Sequence, residues 1–170
     1  MEKSLESKFA ALKSKGFQID LTRGKPGSDQ LDLSNEMLSA PVSSQSSSGI
    51  DIRNYGEPLG IPEARALGAS LLSSPAETTL VGEQSSLLLI YQLILSNYLF
   101  GLKTPWKDQG NLKFICPVPG FDRHFRLLED FGIEMLTIPL NGTGVDLDAF
   151  HALLAEHENI KGIMCVPRHS

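Results

Sequence analysis

The chain has 170 residues, of which 41% are hydrophobic, 21% charged and 7% aromatic. That composition excludes a disordered, collagen-like or coiled-coil protein, and the length suffices to bury a core without disulfide or metal staples. Lys and Arg total 15 against 20 Asp and Glu, and the resulting net charge of -5 argues against a general binder of nucleic acid or of anionic membranes, both of which need a basic face.

Residues 1–15 read as an amphipathic helix with Leu5, Phe9 and Leu12 on one face and Gly16 as its stop. They hold no apolar run with a cleavage site, so a secretory leader is not expected and a cytoplasmic location is. The stretch LTRGKPGSDQLDLS is rich in turn formers. Residues 43–48, SSQSSS, read as a linker or flexible loop. Ile61-Pro62-Glu63 opens a helix that runs to about Leu72, with proline in the first turn where its missing amide costs nothing.

From Gly82 onward the pattern becomes regular. A small polar turn, Gly82 to Ser86, leads into an apolar helix from about Leu87 to Phe100. Lys113 to Cys116 reads as a buried strand, Asp122 to Phe131 as a helix with Phe121, Phe125 and Leu128 on one face, and Glu134 to Pro139 as a second strand. Asn141-Gly142 turns the chain; Asp146 to His157 is a helix and Gly162 to Val166 a third strand. Strands alternating with helices predict an α/β fold with a mostly parallel sheet and helices on both faces. The longest apolar stretch, Leu87 to Leu95, is too short to span a bilayer. Two segments are expected: an N-terminal arm or small-domain segment over 1–48 carrying the Ser-rich loop, and an α/β portion over 49–170, incomplete because the sequence stops at a strand end, where α/β proteins place their active-site loops.

Several common sites are absent. There is no GxxxxGK[ST] loop, no GxSxG elbow and no third glycine to make a dinucleotide fingerprint of Gly142 and Gly144. His124, His151, His157 and His169 have no metal-type spacing to the cysteines and read as surface or helix-face residues. Cys116 and Cys165 lie in apolar runs and read as buried free thiols, with a disulfide left open. The turn Gly82-Glu83-Gln84-Ser85-Ser86 is more informative. The first amides of the helix it starts have no internal partner and carry the positive end of the dipole, a natural phosphate cradle. An ordinary serine N-cap is the simpler reading of the same residues.

Two further segments bear on that choice. One is Arg53-Asn54-Tyr55-Gly56-Glu57-Pro58-Leu59-Gly60-Ile61-Pro62-Glu63-Ala64-Arg65, with the spacing Tyr-x4-Gly-x4-Arg; the other is Cys116-Pro117-Val118-Pro119-Gly120-Phe121-Asp122-Arg123-His124-Phe125. In order with the turn, they resemble the class I, fold type I pyridoxal-phosphate aminotransferases. The opening LTRGKPGSDQLDLS and the closing GIMCVPRHS are similar to a bacterial aspartate aminotransferase subgroup, so the likeness runs over roughly residues 18–170.

The resemblance implies the N-terminal part of that family's large domain behind an N-terminal arm, and pyridoxal 5'-phosphate as cofactor. It implies that Gly82, Gln84, Ser85 and Ser86 hold the cofactor phosphate, that Tyr55 reaches the phosphate of the neighbouring subunit in a homodimer, and that Gly24 lies near the substrate carboxylate. The residue before Pro119 would be an aromatic ring stacked on the pyridine. Here it is Val118, so Phe121 is the candidate, or else a core residue of its helix. Glu83 brings a negative charge to the turn. The expected substrates are an amino acid, aspartate by the subgroup, and a 2-oxo acid. The Schiff-base lysine, the carboxylate at the pyridine nitrogen and the substrate-clamping arginine would all lie beyond Ser170, leaving the chain alone inactive and Lys103, Lys107, Lys113 and Lys161 without a catalytic context. Two alternatives stand beside this: a non-catalytic aminotransferase remnant that binds a partner, and an unrelated phosphate-ester binder using only the Gly82–Ser86 turn. Arg65 and Arg123 read equally well as solvated charges.

Overall fold

The computed structural model describes residues 4–20, 22 and 24–167, and the chain forms two compact units, Met1–Arg53 and Asn54–Ser170. His169 of the sequence reading lies outside the described residues. The first unit holds α1 (Leu5–Lys13), capped by the Ser4 hydroxyl accepting from the Ser7 amide, and the short α2 (Ser28–Asp32). Neither helix buries a residue. The Ser-rich run folds as a closed turn. Ser46 is buried, its amide donates to the Ile50 carbonyl at 2.9 Å, and Gln45 bridges to Asp51.

The second unit carries α3 (Pro62–Leu72), α4 (Ser86–Leu99), β1 (Lys113–Val118), α5 (Asp122–Asp130), β2 (Glu134–Asn141), β3 (Gly144–Val145), α6 (Leu147–Glu156) and β4 (Ile160–Ile163). Short 3-10 turns lie between α3 and α4 and between α4 and β1. The sheet order is β3-β2-β1-β4; β1 runs parallel to both β2 and β4, and β3 returns antiparallel on β2. This is the expected α/β architecture. The strand expected over Gly162 to Val166 starts earlier than its apolar run suggested and ends at Ile163. Met164 is buried but Cys165 is exposed, so only Cys116 is the buried thiol that the sequence implied, and both cysteines are free.

Strand β1 separates two cores. Phe114 and Cys116 point to one side and pack with Ile94 of α4, Leu127 and Leu128 of α5, and Ile133. Ile115 points to the other side, with Leu136 and Ile138 of β2 and with Ala149, Phe150 and Leu153 of α6. Side chains of period two on a central strand demand cover on both faces, and the helices supply it. Cap chemistry sets the helix starts: Ser85 accepts from the Leu88 amide, and Asp146 from the Ala149 amide at 3.0 Å. Gly101, at φ +64°, ends α4 in a turn where a Cβ would sit 2.1 Å from the Thr104 carbonyl oxygen.

Leu128 is fully buried and Leu93 is 64% exposed. Leu128→Ala is expected to lower unfolding free energy by roughly 2–5 kcal/mol, and Leu93→Ala by less than about 0.5 kcal/mol, read from urea denaturation of the 170-residue chain.

Candidate functional site

A cavity of about 490 Å³ opens at the carboxyl ends of β1, β2 and β4. Pro119 and Gly120, Phe121 and His124 from the head of α5, Asn141 at the end of β2 and Gly142 in the turn after it, and Met164 to Pro167 after β4 form its wall. In parallel α/β sheets this edge is where ligands bind, because connecting loops diverge there around a rigid base. Phe121 is the N-cap residue of α5 and 46% exposed, with its ring edge-on to His124 at 5.0 Å between centroids. It is therefore a wall residue of the cavity and not part of the helix core. The core positions of α5 are His124, Leu127 and Leu128. His124 is correspondingly buried: of its reading as a surface or helix-face residue, the helix face holds and the surface does not. The signal was present in its i, i+3, i+4 spacing to two leucines. Val118 lies on β1 and does not line the cavity.

The turn Gly82–Ser86 leads directly into α4. The Ser85 hydroxyl accepts from the Leu88 amide at 3.3 Å, and the first bond of the helix ladder runs from the Leu89 amide to the Ser85 carbonyl at 3.1 Å. The amides of Ser86 and Leu87 thus precede the ladder, and Ser86 is exposed beside them. Ser85 is thus the cap of α4, and the ladder begins only at the Leu89 amide. The exposed Glu83 carboxylate accepts from the Gln92 side chain at 2.8 Å, further along α4. Ser85 and Arg123 line an apolar groove between α4 and α5, together with Leu87, Leu127 and Phe131.

The expected residues are only partly brought together. Phe121 lines the cavity at the sheet edge, whereas none of Gly82, Gln84, Ser85 and Ser86 does. Tyr55 is 96% exposed, and its amide donates to Asn54 Oδ1 at 2.8 Å. Gly24 belongs to the first unit, with nothing within 4 Å of the place a Cβ would take. Arg65, which reads from sequence equally well as a solvated charge, is bound: its guanidinium donates to the Ala76 carbonyl at 2.6 Å and the Thr79 carbonyl at 3.0 Å.

Among the described residues, no lysine, arginine or carboxylate lines the cavity. Lys113 lies at the opposite edge of the sheet, 3.4 Å from His157 Nδ1 and 4.0 Å from Glu134, and Lys161 donates to Gln109 Oε1 at 2.6 Å. Among the described residues no His, Cys, Asp and Glu group has the arrangement of a metal site, and no helix is long and apolar enough to cross a membrane.

Residues 1–170 match the family profile described as aspartate amino-transferase. The chain belongs to this family. An aspartate aminotransferase of Corynebacterium glutamicum is 43% identical over 168 residues, which cover 96% of this chain and 39% of the relative. A crystal structure of an aspartate transaminase from C. glutamicum, 43% identical, superposes with a TM-score of 0.80 over 93% of this chain and 38% of that one. A crystal structure from Corynebacterium diphtheriae, 41% identical, gives a TM-score of 0.84 over 95% of this chain and 41% of that one. The chain spans about two fifths of the length of these relatives.

Burial pushes the Cys116 thiol up to about 11, whereas Cys165 is exposed at the cavity wall. Because the thiolate is the reacting form, an aromatic disulfide reagent at pH 8 is expected to modify Cys165 alone, with Cys116 reacting only after denaturation. Above the ordinary thiol value the unfolded chain releases a proton that the native state retains, so stability falls with rising pH in that range. Urea midpoints at pH 8 and pH 10 should show a decline that Cys116→Ala reduces.

Proposed function

We propose that this chain is the N-terminal part of a pyridoxal 5'-phosphate-dependent aminotransferase that moves an amino group between an amino acid, aspartate by its relatives' names, and a 2-oxo acid. The observation that carries the reading is the match along the whole chain to the aspartate amino-transferase family, at 43% identity to a named member. Residues 1–48 are then the N-terminal arm and 49–170 the first part of the large domain, in a cytoplasmic homodimer.

The residues fit the cofactor's phosphate. The Ser86 and Leu87 amides are donors without a helical partner, joined by the Ser86 hydroxyl and held at the positive end of a 14-residue helix. Gly82, Gln84 and Ser85 join them around the phosphate, with the Ser85 hydroxyl also capping α4. Phe121, in place of Val118, bears on the pyridine ring. Tyr55, fully presented to solvent here, reaches the phosphate held by the neighbouring subunit, and Gly24 lies near the substrate carboxylate. When bound, pyridoxal 5'-phosphate supplies the electron sink that makes the substrate's α-proton removable.

This chain's own part is binding and orientation. The amides at the head of α4 hold the dianion without a side-chain cation on the turn. Phe121 and Met164 give the sheet-edge cavity an apolar wall. Proton movement at the substrate carbon needs a base, and the described lining contains no lysine. On this reading the Schiff-base lysine, the carboxylate at the pyridine nitrogen and the substrate arginine come from sequence beyond Ser170, and the 170 residues alone do not transaminate.

The test is a titration of the chain with pyridoxal 5'-phosphate followed by absorbance, then borohydride trapping and peptide mapping. Binding without a trapped adduct at any single lysine is expected, together with no turnover of aspartate and 2-oxoglutarate. One lysine trapped stoichiometrically would overturn the assignment of the base to sequence outside this chain. No binding at all would overturn the assignment of the phosphate to these residues and favour a non-catalytic remnant.

A further inference from the structure

We infer that Arg65 is a positioning residue for the anion-binding turn at the head of α4, acting through the segment Ala76–Val81; this rests on the phosphate reading of that turn. Arg65 lies in the first turn of α3, where its amide donates to the Ile61 carbonyl at 3.0 Å. Its guanidinium reaches across to two carbonyls three residues apart, Ala76 and Thr79. A planar fork serves both at once, which a lysine ammonium on one stem does not.

Further interactions hold the same segment. The Thr79 side chain is buried; its hydroxyl bonds the Pro75 carbonyl at 2.9 Å and pairs with Ser74 at 3.0 Å. A Cβ on Gly68 of α3 would come within 3.3 Å of the Thr79 methyl. The Val81 amide donates to the Leu59 carbonyl at 3.0 Å. Gly60 lies at φ +93°, and a Cβ there would stand 2.8 Å from the Cβ of Val81, a branched position with no freedom to swing aside. Gly60 and Arg65 therefore hold the chain at two points just before it enters the turn at Gly82. Their five-residue spacing has its physical reason here: one residue sits before the start of α3 and one in its first turn, and both meet the extended run that feeds α4.

The consequence concerns direction more than stability. Two outward amides bind an anion well only if the turn that carries them is fixed relative to the helix axis. The Arg65 pin at Thr79 lies three residues upstream of Gly82, and a guanidinium keeps its charge at every accessible pH.

The experiment uses the isotopically labelled 170-residue chain, with inorganic phosphate and separately pyridoxal 5'-phosphate as probes, followed by amide chemical shifts of Gln84 to Leu88. Wild type, Arg65→Met and Arg65→Lys are compared under conditions where near-ultraviolet circular dichroism shows all three folded. Arg65→Met is expected to weaken phosphate binding about fivefold, the factor carried by one hydrogen bond of ordinary strength. It should also speed hydrogen exchange at residues 79–89 while β1 and β2 amides stay protected. Arg65→Lys, with a single point donor, should restore part of both. If Arg65→Met does not fold, Arg65→Lys carries the comparison, with a smaller but measurable weakening expected. Unchanged affinity in the folded variants overturns the inference alone. Exchange that rises equally in β1 and β2 reduces Arg65 to a general stabiliser and overturns it too. If wild type shows no shift at Gln84 to Leu88 with either probe, the phosphate reading of the turn fails, and the inference with it.

Discussion

The second unit depends on the burial of β1 from both sides. Four consecutive residues, Phe114 to Pro117, are buried on a strand six residues long, and adjacent side chains on a strand point in opposite directions. One layer of helices cannot satisfy that strand. It requires α4 and α5 against Phe114 and Cys116 and α6 against Ile115, and it requires parallel partners whose connections are long enough to contain those helices. The order β2-β1-β4 follows from the demand that the most apolar strand be central. The carboxyl edge then inherits the segments Pro119 to Phe121 and Met164 to Pro167 and the tight turn joining β2 to β3, and they line the cavity.

Polarity within the sheet separates charge from cavity. Lys113, His157 and Glu134 gather at the amino edge, together with Lys161 and the Asn159 side-chain amide that donates to the Gln109 and Asn111 carbonyls. These interactions tie the loop before β1 to the segment entering β4. They use polar groups as fasteners where no ligand is expected, and among the described residues no lysine, arginine or carboxylate lines the cavity at the opposite edge.

The strands, the helices and their alternation were legible because each carried a period or a stop: Gly132 after α5, Pro62 at the head of α3, Asp146 before α6. Where reading failed, long-range packing made the difference. Cys165 lies in an apolar run, yet β4 ends before it and turns it to the surface. Phe121 has helical spacing to Phe125 but lies at the cap, outside the helix that would have buried it. His124 carries the wrong polarity for a core position and occupies one on the same face as Leu127 and Leu128. Arg65 is bound by carbonyls eleven and fourteen residues away, at a range where no local pattern operates. Glu83 was legible as a charge in the turn but not as a partner of Gln92, which is nine residues on. The family motifs mark the segments of the candidate site; the interactions that shape it are tertiary.

The head of α4 presents main-chain amides and serine hydroxyls, and the cationic side chains along the neighbouring groove, Arg123 and Arg126, are both guanidiniums. Neither amides nor guanidiniums change charge near neutrality. A phosphate monoester does change charge there, with its second ionisation near pH ~6. Discrimination between mono- and dianion at such a turn is therefore a property of the ligand's own proton, read against a fixed dipole. Its pH profile would follow the chemistry of the phosphate and would be the same in any fold that offers a helix end in this way.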